Sequence, residues 1–285
     1  MINSTFSLAQ RFKVWIPPIA AQMYWRLFPL FRHVRSDSKE LTMQSNESGW
    51  NDPKFTELES KKWNQYTELV NGTGPVGFSH EQEQITSVRN LYHHNVHMAF
   101  CYAMALATGR NHRPVVLDYG GGLGHYYKLA CAMVPQLACD YHIMELPGVV
   151  DSGRKLNPEI TWHTDDLCFE PQYDFVFVNG SLQYIDKWQE LLRKLANCTR
   201  HYFLLTRVPV VQRADRYAAI QTAYGTSMIQ WQYNEGELLA HMASCGLKLM
   251  REILVGGVPY IRGAPEQPEM RGWLFVRGQD ASLPK

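Results

Sequence analysis

Residues 115–124 read Val-Val-Leu-Asp-Tyr-Gly-Gly-Gly-Leu-Gly. A short apolar run ends in Asp118 and passes straight into a glycine-rich turn. Residues 125–133 are helix-compatible. The stretch therefore reads as strand, tight turn, helix, the opening unit of a doubly wound α/β sheet. Counted from the acid, the spacing is Asp-x-Gly-x-Gly-x-Gly, with glycine at 120, 122 and 124. Without a Cβ, backbone can approach a ligand closely and take positive φ, and the start of the following helix offers unpaired N–H groups. A dinucleotide turn would read Gly-x-Gly-x-x-Gly. Counting from Gly120 puts His125 at the third glycine, so that pattern fails. The plain alternative is a tight strand–helix connection with no ligand.

The following strands carry acids and breaks at their ends. Residues 140–147 read as a second strand finishing at Glu145, about 20–25 residues past the turn, which suits one strand–helix–strand unit. A carboxylate there can accept hydrogen bonds from both hydroxyls of a ribose. An acid at the start of the next helix, opened by Pro147, is the other reading. Residues 160–164 form a third strand before Asp165-Asp166-Leu167. The nearly continuous apolar run from Tyr173 suits a fourth strand buried on both faces and breaks at Asn179-Gly180-Ser181. Trp188, Leu191, Leu192 and Leu195 mark an amphipathic helix. A fifth strand spans 201–208, an aromatic and polar insertion 210–231, and two last strands 248–256 and 272–277. Asn234 with Glu237 caps the intervening helix.

Upstream, Phe55, Leu58, Trp63, Tyr66 and Leu69 suggest short helices. Ser79 with Gln82 matches a capping box, and Ile85 to Leu106 recur at helical spacing, predicting one long helix from 79 to 109. It carries His93, His94 and His97. His93 and His97 share a face, but no acid completes a metal set, so no metal site is expected. Histidines lining a pocket are the simpler reading, with a general-base role open to one of them. Residues 1–36 hold Arg11, Lys13, Arg26, Arg32 and Arg35, no acid, and many aromatics. That composition fits a segment in a membrane interface; a helical extension packed on the domain or on a second subunit fits equally. Residues 36–48 read as a polar linker.

The chain of 285 residues has room for one α/β domain plus an accessory segment. A net charge of +1 argues against a general nucleic-acid binder. Six scattered cysteines without a Cys-x-x-Cys pair suggest neither zinc nor a disulfide framework, and point to a reducing, cytoplasmic setting with peripheral membrane contact through 1–36 left open. No apolar run reaches the roughly 18 residues of a membrane span.

The Asp118–Gly124 spacing resembles the first motif of class I S-adenosylmethionine-dependent methyltransferases. Glu145, Asp166-Leu167 and the Asn179-Gly180-Ser181 break follow in that family's order. The resemblance covers about 49–277. Gly49-Trp50, Asp-Tyr-Gly-Gly-Gly and Asn-Gly-Ser-Leu-Gln-Tyr look most like a group of bacterial methyltransferases encoded among surface-polysaccharide genes. The resemblance implies a Rossmann-like fold with a seven-stranded, mostly parallel sheet, an antiparallel edge hairpin and an N-terminal helical extension. It divides the chain into a leader and linker at 1–48, a helical cap at 49–112 and a cofactor-binding domain at 113–279. It implies that S-adenosylmethionine is held by Asp118, Gly120, Gly122, Gly124, Glu145, Asp166, Leu167, Asn179 and Ser181, with Asp165 an alternative to Asp166. The fourth motif is not the Asp/Asn-Pro-Pro-Tyr version used on nucleobase amines. Implied acceptors are small molecules or glycan precursors, not nucleic acid. Tyr184 and Arg207 are expected pocket walls. His93, His97 and His125 are the candidate bases, with His94 and Asp186 behind them. A non-catalytic protein keeping the fold is the alternative function, and a nicotinamide oxidoreductase a distant third.

Overall fold

The computed structural model describes residues 31–34, 50, 53–81, 84–134, 137–223, 226–256 and 260–278. In chain order its elements are β1 (Phe31–Val34), α1 (Pro53–Asn71), α2 (Leu91–Arg110), β2 (Val115–Tyr119), α3 (His125–Met133), β3 (Asp140–Met144), α4 (Pro147–Leu156), β4 (Thr161–His163), β5 (Tyr173–Asn179), α5 (Trp188–Asn197), β6 (Thr199–Val211), β7 (Tyr217–Ala223), β8 (Thr226–Asn234), α6 (Glu235–Ser244), β9 (Leu247–Leu254), β10 (Ile261–Arg262) and β11 (Glu269–Arg277).

Seven strands lie side by side as β4-β3-β2-β5-β6-β11-β9. β2, β3, β4, β5 and β6 are parallel to one another. β11 is antiparallel to both its neighbours, β6 and β9. The order reverses between β2 and β5, the place where an open α/β sheet leaves a crevice for a ligand. This is the Rossmann-like, mostly parallel sheet with an antiparallel edge hairpin that the motif order implied.

Each strand's pleat sends alternate side chains to two cores. On one face Phe175, Phe177, Val116 and Leu204 pack with Phe100 and Met104 of α2 and Leu129 of α3. On the other, Val176, Val178, Leu117 and Phe203 pack with Leu192 and Leu195 of α5 and Leu238 of α6. Burial on both sides explains the unbroken apolar reading of β5.

The sheet is larger than seven strands. β6 runs on to Val211, and its far end pairs in parallel with β8. β8, β7, β1 and β10 then continue the sheet. The insertion at 210–231 thus contributes β7 and β8, joined antiparallel. Phe31–Val34, inside the stretch read as leader, is a strand between β7 and β10, with Val34 buried. The remainder of residues 1–36 lies outside the described residues.

The long helix expected from Ser79 begins instead at Leu91, where the Asn90 side chain accepts from Tyr92 N at 2.9 Å. Ser79 Oγ accepts from Glu81 N at 3.1 Å, closing a local turn, and Gln82 lies outside the described residues. Backbone bonds from Gly77 N to Val88 O and from Asn90 N to Gly77 O tie the intervening chain down as a bridge. Ile85 is buried from that non-helical segment, so its apolar spacing served the core without requiring a helix.

Candidate active site

The glycine turn sits at the carboxyl end of β2. Gly120, Gly122 and Gly124 all have positive φ, at 76°, 57° and 92°. A Cβ on Gly120 would lie 2.6 Å from Ser181 Cβ, so the turns after β2 and β5 can meet only through a glycine. Ser181 Oγ fixes that contact by donating to Tyr119 O at 3.0 Å. Gly124 precedes α3, and Asn157 Nδ2 donates to Leu123 O beside it.

Asp118 is 1 % exposed and accepts from the Tyr141 hydroxyl at 3.0 Å. Burial raises its pKa to about 7, with the Tyr141 hydrogen bond opposing and the neighbouring Glu145 adding to the rise. Glu145 reaches back from the end of β3. Its Oε1 accepts from Gly122 N at 3.2 Å and its Oε2 from Leu146 N at 2.6 Å. Burial raises this carboxyl too, against those two bonds. Glu145 and the turn therefore face one another at the sheet's carboxyl edge.

After β4 the acids divide. Asp165 Oδ1 accepts from Leu167 N at 3.1 Å, the capping arrangement. Asp166, with its side chain 77 % exposed, pairs with Lys194 Nζ at 2.8 Å. Leu167 on the same turn is 57 % exposed. At the end of β5, Asn179 Nδ2 donates to the Tyr126 hydroxyl and Asn179 Oδ1 accepts from Thr206 Oγ1, each at 2.9 Å.

The helical segment before β2 lies over this edge. An open cleft of about 410 Å³ runs between α1 and the start of α4, bordered by Trp50, Thr56, Ser60, Leu146 and Val149. The edge of Tyr184 meets Trp50, and its hydroxyl donates to Gln221 Oε1 at 2.8 Å, tying the turn after β5 to the inserted β7.

Arg207 stands at a bulge. The pairing of β6 with β11 slips there, Leu205 facing Trp273 and Val208 facing Arg271. Arg207 has φ 58°, alone among the described non-glycine residues in being positive. A bulge residue of this kind re-aims its side chain. The guanidinium lies over Gly180, forms a two-pronged bond to Glu81 at 2.5 and 2.7 Å, and donates from Nε to the Tyr92 hydroxyl at 2.9 Å. Burial would raise Glu81, but the Arg207 charge holds it far below the ordinary carboxylate range.

The three candidate histidines are separated by burial. His97 is 2 % exposed, and its Nδ1 meets Val76 O at 2.6 Å. His125 is enclosed, stacked on His80 with ring centres 3.9 Å apart, and its buried Nδ1 has no hydrogen-bond partner. His93 is partly open and sits near Arg207 and Glu81. Burial lowers all three pKa values, to about 4 for His93, about 3 for His97 and well below the usual range for His125. All are neutral at pH 7. Among the described residues, no group of three or more His, Cys, Asp or Glu is placed to hold a metal, and no helix is long and apolar enough to cross a membrane.

Sequence reading missed Glu59, His80, Glu81 and Tyr126. Glu81 lay within the expected helix, and Glu59 among the ordinary charges of α1.

No protein-family profile and no curated protein sequence matches the chain. Solved structures resemble it. A magnesium protoporphyrin IX methyltransferase from Synechocystis is 15% identical over 76% of this chain and 94% of its own, with a TM-score of 0.45. A 1,6-didemethyltoxoflavin-N1-methyltransferase from Burkholderia thailandensis is 15% identical over 63% and 78%, with a TM-score of 0.42. An amino pentose methyltransferase from Micromonospora echinaspora is 13% identical over 64% and 91%, with a TM-score of 0.43. At these identities and scores the likeness bears on neither substrate nor residue roles. The fold assignment rests on the strand order and the glycine turn.

Proposed function

We propose that this chain is an S-adenosylmethionine-dependent methyltransferase acting on a small molecule or glycan precursor, at an oxygen, nitrogen or carbon. One observation carries the reading: Glu145, at the end of β3, accepts from Gly122 N, so a carboxylate and a glycine cradle with positive φ share the crevice where the strand order reverses.

The residues fit the cofactor. The acids suit its ribose hydroxyls and its ammonium, and Gly122 leaves open the space that a Cβ would take. Glu145 would hold the ribose, Asp118 the amino group through water, and Gly120, Gly122 and Gly124 the amino-acid chain. Asp166, Leu167, Asn179 and Ser181 would complete the site around the adenine and the sulfonium. The bound cofactor supplies a methyl group already activated on a positive sulfur.

This chain's own residues then align and desolvate the acceptor, and alignment alone is worth several kcal/mol. Tyr184 and Arg207 form walls of the acceptor pocket. His93, partly open, is the base of this reading: its pKa of about 4 makes it too weak to deprotonate an acceptor beforehand, so it takes the proton of a hydroxyl or amine acceptor only as the methyl is transferred and that proton becomes acidic. His97 and His125 build the pocket's inner packing. The basic, aromatic composition of the stretch ahead of β1 supports a cytoplasmic protein with peripheral contact to a membrane surface.

The test is calorimetric titration with S-adenosylmethionine, S-adenosylhomocysteine and NAD. Micromolar binding of the first two and none of NAD supports the reading. Folded protein that binds none of them refutes it and favours a non-catalytic role.

A further inference from the structure

Glu59, on the cap helix α1, is an acid that no Lys or Arg among the described residues meets at contact. A Cβ placed on Gly122 would lie 3.7 Å from its Oε2 and 3.6 Å from His125 Nδ1, so Glu59 stands directly over the glycine turn. Its side chain is 20 % exposed, and among the described residues its one ion-pair partner is His80 Nε2 at 3.9 Å. Burial pushes His80 down to about 4, so that ring is neutral at pH 7 and offers no charge.

The groups facing Glu59 from the surrounding elements leave it short of positive charge. On its own helix, the Lys62 ammonium donates to His80 O. On the following segment, Glu81 is held by Arg207. From β3 comes a second acid, Glu145, and from α3 the neutral His125. Burial, Glu81 and Glu145 together push Glu59 up to about 8, with Lys62 opposing. An acid in this position is stabilised by a ligand that brings its own cation.

Building on the cofactor reading above, we infer that Glu59 is a cofactor-binding residue, the cap's direct acceptor for the α-ammonium group of S-adenosylmethionine over Gly122. The cap then contributes to cofactor affinity through a named charge as well as by covering the cleft. Three acidic side chains, Glu59, Asp118 and Glu145, surround the turn, and a ligand with a net positive charge suits their ionised forms. Binding draws the proton off Glu59: the carboxyl O–H breaks, the proton leaves to solvent, and the carboxylate accepts from the ammonium.

The experiment compares wild type with Glu59→Gln, an isostere that removes only the charge, by calorimetry with S-adenosylmethionine and with 5′-methylthioadenosine, which lacks the amino-acid end. Expected is at least a tenfold loss of affinity for S-adenosylmethionine and less than a twofold change for methylthioadenosine. In wild type at pH 7, titrations in buffers of different ionisation enthalpy should show proton release on binding S-adenosylmethionine, and Glu59→Gln should lose most of it. Equal weakening of both ligands would make Glu59 merely structural and overturn the inference, as would unchanged affinity or no proton release by wild type. Wild type binding neither adenosine compound would instead sink the cofactor reading, and this inference with it.

Discussion

Substituting alanine at two glycines of the same turn should separate folding from binding. At Gly122 the new Cβ meets, among the described residues, only His125 Nδ1 at 3.6 Å and Glu59 Oε2 at 3.7 Å, ordinary contact distances. Its cost is therefore that of a left-handed backbone at φ 57°, about 1–2 kcal/mol. At Gly120 the same backbone cost applies, and the Cβ would also fall 2.6 Å from Ser181 Cβ and 2.9 Å from Ser181 Oγ. Overpacking adds about 1–3 kcal/mol, giving a total of about 2–5 kcal/mol. Gly122→Ala, though, puts its methyl in the space assigned to the cofactor. The expected outcome is a crossed pattern. Urea unfolding shows Gly120→Ala less stable than Gly122→Ala by at least about 1 kcal/mol. Calorimetry shows Gly122→Ala still folded but binding S-adenosylmethionine at least about tenfold more weakly, about 1.4 kcal/mol. Full affinity in Gly122→Ala would refute the assignment of the turn as the cofactor cradle. Equal stability of the two variants would refute the Gly120–Ser181 steric argument.

Three further outcomes are expected. Buried Asp174, at the start of β5, accepts from Val115 N at 2.9 Å, Asn111 Nδ2 at 2.9 Å and Arg200 NH1 at 2.7 Å; burial works to raise its pKa, but these bonds hold it below the ordinary value. A depressed folded pKa contributes stability that is present above the unfolded value of about 3.9 and is lost as pH falls through the folded one. Asp174→Asn should thus cost about 1–3 kcal/mol at pH 7 in urea unfolding, a gap that narrows below pH 4; a constant gap would contradict the linkage. His93→Ala should lower kcat by about 100-fold with cofactor affinity intact, while His97→Ala should chiefly lower the melting temperature; loss of cofactor affinity in His93→Ala would remove it as the base. Deleting residues 1–30 should abolish binding to anionic vesicles, whereas deleting 1–36 also removes β1 and lowers stability; equal vesicle binding by full-length and shortened chains would end the membrane reading.

What could be read from the sequence was whatever depends on neighbours along the chain. The acid–glycine turn, Glu145 at the end of β3 and the break after Asn179 are fixed by residues adjacent to them, and all stand at the sheet's carboxyl edge. The cap of α6 was legible for the same reason, since Asn234 Oδ1 accepts from Glu237 N three residues on. The Ser79 reading failed because local spacing could not see Gly77, whose backbone bonds to Val88 and Asn90 hold the segment out of helix. The length of β6 was equally hidden: Val210 pairs with Glu269 of β11 on one side, and Val210 and Val211 pair with β8 on the other, partners that lie far along the chain.

The parts of the proposed site that lie farthest apart in the chain were the least legible. Arg207 looks like any basic residue ending a strand. Its direction comes from a bulge opposite Gly272, and its ion partner, Glu81, lies 126 positions away in the chain. Glu59 looks like an exposed charge on an amphipathic helix, and only the packing of α1 over Gly122 makes it a half-buried acid. The division has a physical cause. Cradling a cofactor needs backbone shape, which glycine spacing writes directly. Placing charge over that cradle needs a second layer folded onto the first. Arg207 with Glu81 fastens this layer to the sheet, so loosening that pair should disturb acceptor binding before it disturbs the glycine turn.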